Sequence, residues 1–461
     1  MSEWNIINRS NLSETWRFDS EYWRVRYIDN LRTIKASTKG GLRTSKIKYV
    51  VDKVTGSAFY PSFARYYDDK GMPFIRVADL GDLYLKSEGM VRISQKTIMN
   101  HKQVSTIMPG DLVIAKGGSI GSVCIVTEDL GESAVCRDVV AIKSNNEKLD
   151  PYYLAVFLNT YFGNLQLERN KSLQVQAHLT FPAVERIEVA YPDYSFQKDI
   201  RELALKARIA LTTSKQCNEL ARKILEAETG LDRYTYQRPE RHSVRYSTIS
   251  LSQTFSAGRV DAQCFSPDAI FYEKWLNSQI KCDRLGLLLR STAKGHLQTD
   301  QIDGAVHYCS IKNISNREIL GSSLCTPDNK APLAKVDDLL LAITGATIGK
   351  IGIVKRYKEI AFSGDMLCLK TNEKIDPHYL LAVLDHQIGR VQFERWVTGS
   401  TNGHLAPKDV KRVLVPRLNY RKEEMIAKLI KRELSKRLDS EMFIEQAKNK
   451  VVNLIEQAVK Q

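Results

Sequence analysis

Residues 111–126 read DLVIAKGGSIGSVCIV, and residues 338–354 read DLLLAITGATIGKIGIV. Each is an apolar, β-branched run, a glycine-bearing turn and a second such run. That pattern predicts a strand, a tight turn and a strand. One pattern has been written twice, with Gly121 of the first turn answered by Gly349 of the second. Around them, KLDPYYL (148–154) is answered by KIDPHYL (374–380). LQLER (165–169) is answered by VQFER (391–395), and His178-Leu179 by His404-Leu405, all at one common separation. Upstream, Arg17-Phe18-Asp19 is answered by Arg259-Val260-Asp261 at a wider separation. The second copy is therefore shorter than the first between these landmarks, which is ordinary loop variation. A period of nearly half the chain is a duplicated domain, not a solenoid repeat.

The rest of the chain fits around the two copies. At 461 residues it is too long for one ordinary domain. Its composition, 43% hydrophobic and 26% charged, suits folded domains and excludes a disordered basic tail. No run is apolar enough for a membrane span. The opening Met1-Ser2-Glu3-Trp4-Asn5 lacks a signal-peptide pattern, so a cytoplasmic location is expected. Eight cysteines include no close C-x-x-C pair, which points to reduced, mostly buried thiols and no zinc site. Lys and Arg exceed Asp and Glu by 68 to 53, a net charge of +15. That excess fits either solubility or a polyanion partner.

Within each copy, Asp150-Pro151 and Asp376-Pro377 carry the signature of a helix start, an N-cap Asp followed by Pro. Each copy ends in a long helix. From about Gln197 to Thr229, Ile200, Leu203, Ala207, Ala210, Ser214, Cys217, Ala221 and Ile224 make a heptad seam, with Gly230 as C-cap. The second helix, from near Arg421 almost to Gln461, has Leu434, Leu438 and Met442, then Ala447, Val451, Leu454 and Ala458. That shift of register predicts a stutter. Length and repetition favour pairing of the two helices with each other. The fold class is α/β (α+β): two tandem domains with mixed sheet, separated and followed by long coiled-coil helices.

These features together resemble the specificity (S) subunit of type I restriction–modification systems. The resemblance is carried by RFDSEYW (17–23), by PGDLV (109–113) running into GSIG (118–121), by DDLLL (337–341) running into TGATIG (344–349), and by GSTNGHL (399–405) leading to VLVP (413–416). It implies two target-recognition domains, at 1–195 and 251–418. It also implies spacer helices at 196–250 and 419–461 that pack antiparallel. Each domain would read one half of a split double-stranded DNA target. The subunit would dock two adenine-N6 methyltransferase subunits and, through them, restriction subunits. It would bind no cofactor itself: S-adenosylmethionine belongs to the methyltransferase partner, ATP and Mg2+ to the restriction partner. A related system in which methylation and cleavage share one partner polypeptide, and an orphan DNA-binding module, are the alternatives.

Catalysis by this chain is not expected. It has no Asn/Asp-Pro-Pro-Tyr/Phe loop to grip a flipped adenine, no G-x-G-x-x-G helix start and no G-x-x-x-x-G-K-[ST] loop. The pairs Asp68-Asp69 and Asp337-Asp338 read as a turn and the start of a strand, so no metal is expected. Resemblance and side-chain chemistry select DNA contacts in each copy. In the first they are Lys116, Ser119, Arg137, Lys171 and Gln174. In the second they are Lys312, Asn313, Thr344, Thr347, Thr401, Asn402 and His404. His178 and His404 occupy equivalent places; turn-capping is the plainer role for both, and donation to DNA the sharper one.

Overall fold

The computed structural model describes residues 17–58, 63–117, 121–171, 178–233, 246–298, 303–327, 331–399 and 402–461. The chain divides into two compact units, Met1–Ala210 with Leu438–Gln461, and Leu211–Arg437. Each contains one copy of the repeat and part of each long helix.

In the first unit the strands are β1 (Arg43–Lys46), β2 (Val51–Thr55), β3 (Tyr67–Ile75), β4 (Arg92–Ile93), β5 (Thr106–Ile107), β6 (Leu112–Ala115), β7 (Val123–Ile125), β8 (Ser133–Val135), β9 (Val139–Ser144) and β10 (Glu188–Tyr191). They form the sheets β1-β10, β2-β9-β6-β7 and β4-β3-β8-β5. In the second unit they are β11 (Cys282–Arg284), β12 (Leu289–Lys294), β13 (Val306–Cys309), β14 (Ile314–Ser315), β15 (Glu318–Ile319), β16 (Ser323–Cys325), β17 (Leu333–Lys335), β18 (Leu339–Ala342), β19 (Ile351–Ile353), β20 (Glu359–Phe362), β21 (Met366–Thr371) and β22 (Leu414–Pro416). The plan repeats as β11-β22, β12-β21-β18-β19-β15-β14 and β16-β13-β20-β17. Even the parallel pair inside an otherwise antiparallel sheet recurs, β3 with β8 and β13 with β20. The β14-β15 hairpin is an addition. Its first-unit counterpart is one parallel bridge, Tyr84 with Ile125.

The opening stretches are β6-β7 and β18-β19. β6 and β18 are apolar and buried at every position, as strands covered on both faces must be. Asp150 accepts hydrogen bonds from the amides of Tyr152 and Tyr153 and starts α1 (Pro151–Leu158). Helix α2 (Tyr161–Arg169) follows, then the long α3 (Tyr194–Thr229). The second unit repeats these as α4 (Pro377–Asp385), capped by Asp376, then α5 (Gln387–Trp396) and the long α6 (Tyr420–Lys460). Gly230, at φ 73°, ends α3 in the left-handed region that glycine enters without penalty.

In the second unit the two long helices run antiparallel. Glu228 meets Lys422 at 2.8 Å, while Asn218 and Glu433 meet the same arginine, Arg317. The core-facing residues Ala221 and Leu225 share one apolar cluster with Ile426, Ile430 and Leu434. In the first unit Ile200, Ala204 and Ala207 of α3 are buried, as are Ile444, Ala447 and Val451 of α6. There α6 also passes so close to Gly40 that a Cβ would lie 2.3 Å from the Ala458 carbonyl oxygen.

The break in register lies further along α6 than expected. Met442 is exposed, and the buried positions of α6 are Glu423, Ile426, Ala427, Ile430, Glu433, Leu434, Ser440, Ile444, Ala447, Val451, Ile455 and Ala458. Two successive steps of four, from Ala447 to Val451 to Ile455, interrupt the alternation of threes and fours. Apolar type misled the reading, because the true seam includes Glu433 and Ser440. In α3 the seam passes through Ala204 and Leu225 in place of Leu203 and Ile224. Among the described residues no helix is long and apolar enough to cross a membrane. The eight cysteines are free thiols.

Candidate nucleic-acid interface

The repeat landmarks are the frame of each domain. Gln166 donates to the Glu188 carbonyl and accepts from the Glu188 amide, both at 2.8 Å. Gln392 does the same to Leu414, at 2.9 and 2.7 Å. A buried glutamine thus replaces a strand neighbour for one edge residue. Tyr153 donates to the Ala190 carbonyl at 2.7 Å, and Tyr379 to that of Pro416 at 2.8 Å. Arg169 donates to the Tyr22 carbonyl and Arg395 to that of Cys264, at 2.9 and 2.8 Å. Arg17 pairs with Asp19 and reaches the Lys171 carbonyl at 2.9 Å. Arg259 pairs with Asp261 and reaches the Trp396 and Val397 carbonyls at 3.1 Å. Each of these buried or half-buried donors has its acceptor, so the frame is rigid.

On that frame sits one backbone site, built twice. In the first unit the Lys116 amide donates to the Asp138 carbonyl at 2.8 Å, and the Lys116 carbonyl accepts from Leu179 at 3.1 Å. In the second, Ile343 makes the same two bonds, to Asp365 at 2.9 Å and from Leu405 at 2.8 Å. The turn after β6 or β18 is thereby strapped to a later segment and to the residues after β8 or β20.

The side chains on this shared backbone differ. Lys116 stands where the second unit has Ile343, Gly117 where it has Thr344, and Arg137 where it has Gly364. The Lys116 ammonium lies 5.6 Å from the Phe181 ring centre, a cation–π distance. Exposed Arg137 pairs with Asp138 at 3.4 Å. In the second unit the Thr344 hydroxyl donates to Asp365 at 2.7 Å. Thr344 also bridges to His404, whose backbone exchanges hydrogen bonds of 2.8 and 2.7 Å with Thr398. Asn402 is exposed beside Gly345, and Thr347 is exposed on the turn. Lys116 and Arg137 are thus brought together in one unit, and Thr344, Thr347, Asn402 and His404 in the other.

The remaining candidates lie elsewhere. Lys171 is half-buried, its carbonyl held by Arg17. Lys312 is exposed on the turn after β13. Asn313, next to it, accepts from the Ser310 amide at 2.9 Å, a capping role that Asp79 fills for Arg76 in the first unit. Ser119, Gln174 and Thr401 lie outside the described residues. Asp138 and Asp365 were not foreseen. Their only sequence signal is that each follows a β-branched run before the next strand, which many turns share.

The second unit carries a cluster the first lacks. At the tip of the β14-β15 hairpin, Asn316 and Arg317 both have positive φ, 49° and 67°. Arg317 pairs with Asp385 at 2.6 Å and Glu433 at 3.4 Å, and donates to Asn218. Burial pushes the Asp385 carboxyl up, but the Arg317 charge outweighs it and holds the group below the usual range. In the first unit the tip position is Leu83, identified by the same backbone bond: its carbonyl accepts from Ile125 as that of Arg317 accepts from Ile353, at 3.0 and 2.9 Å.

Comparison with known proteins adds the following. Residues 40–222 match the family described as "Type I restriction modification DNA specificity domain". No curated protein matches. Among solved structures, the S subunit of a type I restriction–modification system from M. genitalium is 13% identical, covering 91% of this chain and 96% of its own, with a TM-score of 0.45. The HsdS subunit from Thermoanaerobacter tengcongensis is 12% identical over 91% and 96%, with a TM-score of 0.29. The match to this DNA specificity domain spans the first unit's sheets and most of α3.

Proposed function

We propose that this chain is the sequence-recognition subunit of a type I restriction–modification complex, and that it reads a bipartite double-stranded target. Each unit supplies one reader, with its face at the turn after β6 or β18. The observation that carries this reading is the single backbone site furnished with different side chains. Two readers of different half-sequences need one way to meet the duplex and two sets of side chains to meet the bases. Lys116 and Arg137 give the first reader cations suited to phosphate or guanine. Thr344, Thr347, Asn402 and His404 give the second neutral hydrogen-bonding groups.

The subunit acts in the cytoplasm and docks two adenine-N6 methyltransferase subunits, and restriction subunits through them. It binds no cofactor or metal of its own. S-adenosylmethionine enters with the methyltransferase, and ATP and Mg2+ with the restriction subunits. Co-expression with the neighbouring methyltransferase gene, followed by mapping of methylated adenines, tests this. Two short sequences at a fixed gap are expected. Methylation at one continuous sequence, or with no sequence preference, would overturn the reading.

A further inference from the structure

The duplicated chain faces a choice of partners that its seams do not resolve. Positions one repeat apart on α3 and α6 are interchangeable along much of the buried face: Ser214 matches Ser440, and Ala221 matches Ala447. A second copy's α3 could therefore lie on the first unit where α6 belongs. Three positions beside the seam differ sharply. In the second unit α3 presents Asn218 to Arg317, Glu226 to His386 at 3.1 Å, and Glu228 to Lys422 at 2.8 Å. The repeat places the equivalent positions of the first unit on α6, at Ile444, Val452 and Leu454. The groups equivalent to Arg317, His386 and Lys422 are Leu83, Thr160 and Phe196. The rest of the Arg317 cluster follows suit, with Asn159 for Asp385 and Ala207 for Glu433.

We infer that these polar and apolar sets form a pairing code, which commits α3 and α6 of one chain to each other and excludes pairing with the same helix of a second copy. On the first unit, a foreign α3 would bring Asn218, Glu226 and Glu228 against Leu83, Thr160 and Phe196. Glu228 would lose its cation, and Glu226 would be left with only Arg222 of its own helix. On the second unit, a foreign α6 would set Ile444 against Arg317 and Val452 against His386, so the arginine would lose Asn218 and the histidine Glu226. Unpaired buried charge costs far more than a paired one contributes, so the penalty falls on the wrong partner. Arg317 and His386 carry most of the code, since Lys422 and Glu228 are largely exposed and their ion pair is weak. The code operates whatever the domains bind.

The test uses the full chain and light scattering over a range of protein concentrations. The natural protein is expected to hold the mass of one chain, 52.4 kDa, throughout. The variant N218I/E226V/E228L should lose protection from hydrogen exchange in α4 and α5 while the first unit keeps its own. A second variant adds R317L/D385N/H386T/K422F/E433A and so gives the second unit the first unit's residues at all eight positions. It should recover protection in α4 and α5. Because the code is then erased, its mass should rise up to twofold with concentration. A recoded variant that stays at one chain at every concentration would overturn the inference, as would a natural protein that is already a dimer.

Discussion

At one equivalent tip the first unit meets its helices with uncharged groups and the second with ions, although elsewhere the first unit also pairs Arg201 with Asp150 and Arg208 with Asp129. In the first, Leu83 is buried at the position of Arg317, and the Tyr84 hydroxyl donates to the Ala204 carbonyl of α3. In the second, Arg317 reaches Asp385, Glu433 and Asn218, and Arg356 holds buried Glu318 at 2.7 Å. Yet the frame around these positions is the same bond for bond. The difference teaches what duplication conserves. The glutamine, tyrosine and arginine anchors set the geometry of the domain and recur unchanged. The fastening and the reading face only need to be satisfied, and each copy has found its own way.

The comparison breaks most easily at Arg317. Arg317→Leu leaves Asp385 with Arg390 alone and Glu433 with Arg437 alone, and the second unit should lose up to about 3 kcal/mol. Leu83 needs no partner of this kind, so the first unit should keep its stability. Denaturant titration followed by hydrogen exchange resolves the units. Adding Asp385→Asn and Glu433→Ala, the first unit's own residues, should recover most of the loss. No recovery would mean the two fastenings are not equivalent.

The frame should respond equally in both halves. Gln166→Ala and Gln392→Ala each orphan one backbone amide and one carbonyl, at a cost of about 1–3 kcal/mol. The same titration measures both. Two values that differ by more than about 1 kcal/mol would contradict a shared frame.

Acid should separate the units next. Asp376 and Asp385 have carboxyls held low, against the push of burial, by His378 and Arg317 respectively. Such groups stabilise the fold above their unfolded pKa, and that support is lost as the pH falls through their lower folded values. Burial also holds His386 low, so its protonation below about pH 6.5 penalises the folded state. In the first unit Asn159 and Thr160 replace Asp385 and His386 and do not titrate. Asp150, equivalent to Asp376, is instead raised by burial, so acid relieves it. Asp19 and Asp261, each held low by its neighbouring arginine (against burial at Asp19), offset one another. Asp129, low beside Arg208 despite burial, works the other way but is largely exposed. From pH 7 to below pH 4, through His386 first and the two carboxyls last, the second unit should therefore gain exchange rate relative to the first. The opposite order would sink this account of the two fastenings.

The smallest effect is expected at the reading face. Lys116→Ala should weaken DNA binding through the first half alone and flatten the salt dependence by about one unit of slope. Equal loss at both halves, or none, would remove Lys116 from the interface.

Much of this was legible in the sequence, because duplication exposes itself. LQLER and VQFER align by eye, and their glutamines and arginines are the frame. The Asp-Pro helix starts and the β6-β7 and β18-β19 turns were readable for the same reason. The seam of α6 was not, since Glu433 and Ser440 look like surface residues until Arg317 and a facing helix surround them. Nor could spacing reveal that Asn313 closes a turn, or that Arg317 and Leu83 are equivalent. That equivalence rests on one backbone hydrogen bond between strands distant in sequence.

The proposed function assigns one reader to each copy of the frame and makes α3 and α6 the ruler that sets the gap in the target. Inserting one heptad in α3 after Thr213 and a matching heptad in α6 after Arg437 lengthens both helices by about 10 Å and preserves their register. Methylated adenines are then mapped for the natural and lengthened chains, each with its methyltransferase partner. The account predicts two unchanged half-sequences separated by a gap about three base pairs longer, at about 3.4 Å per pair. An unchanged gap would contradict it.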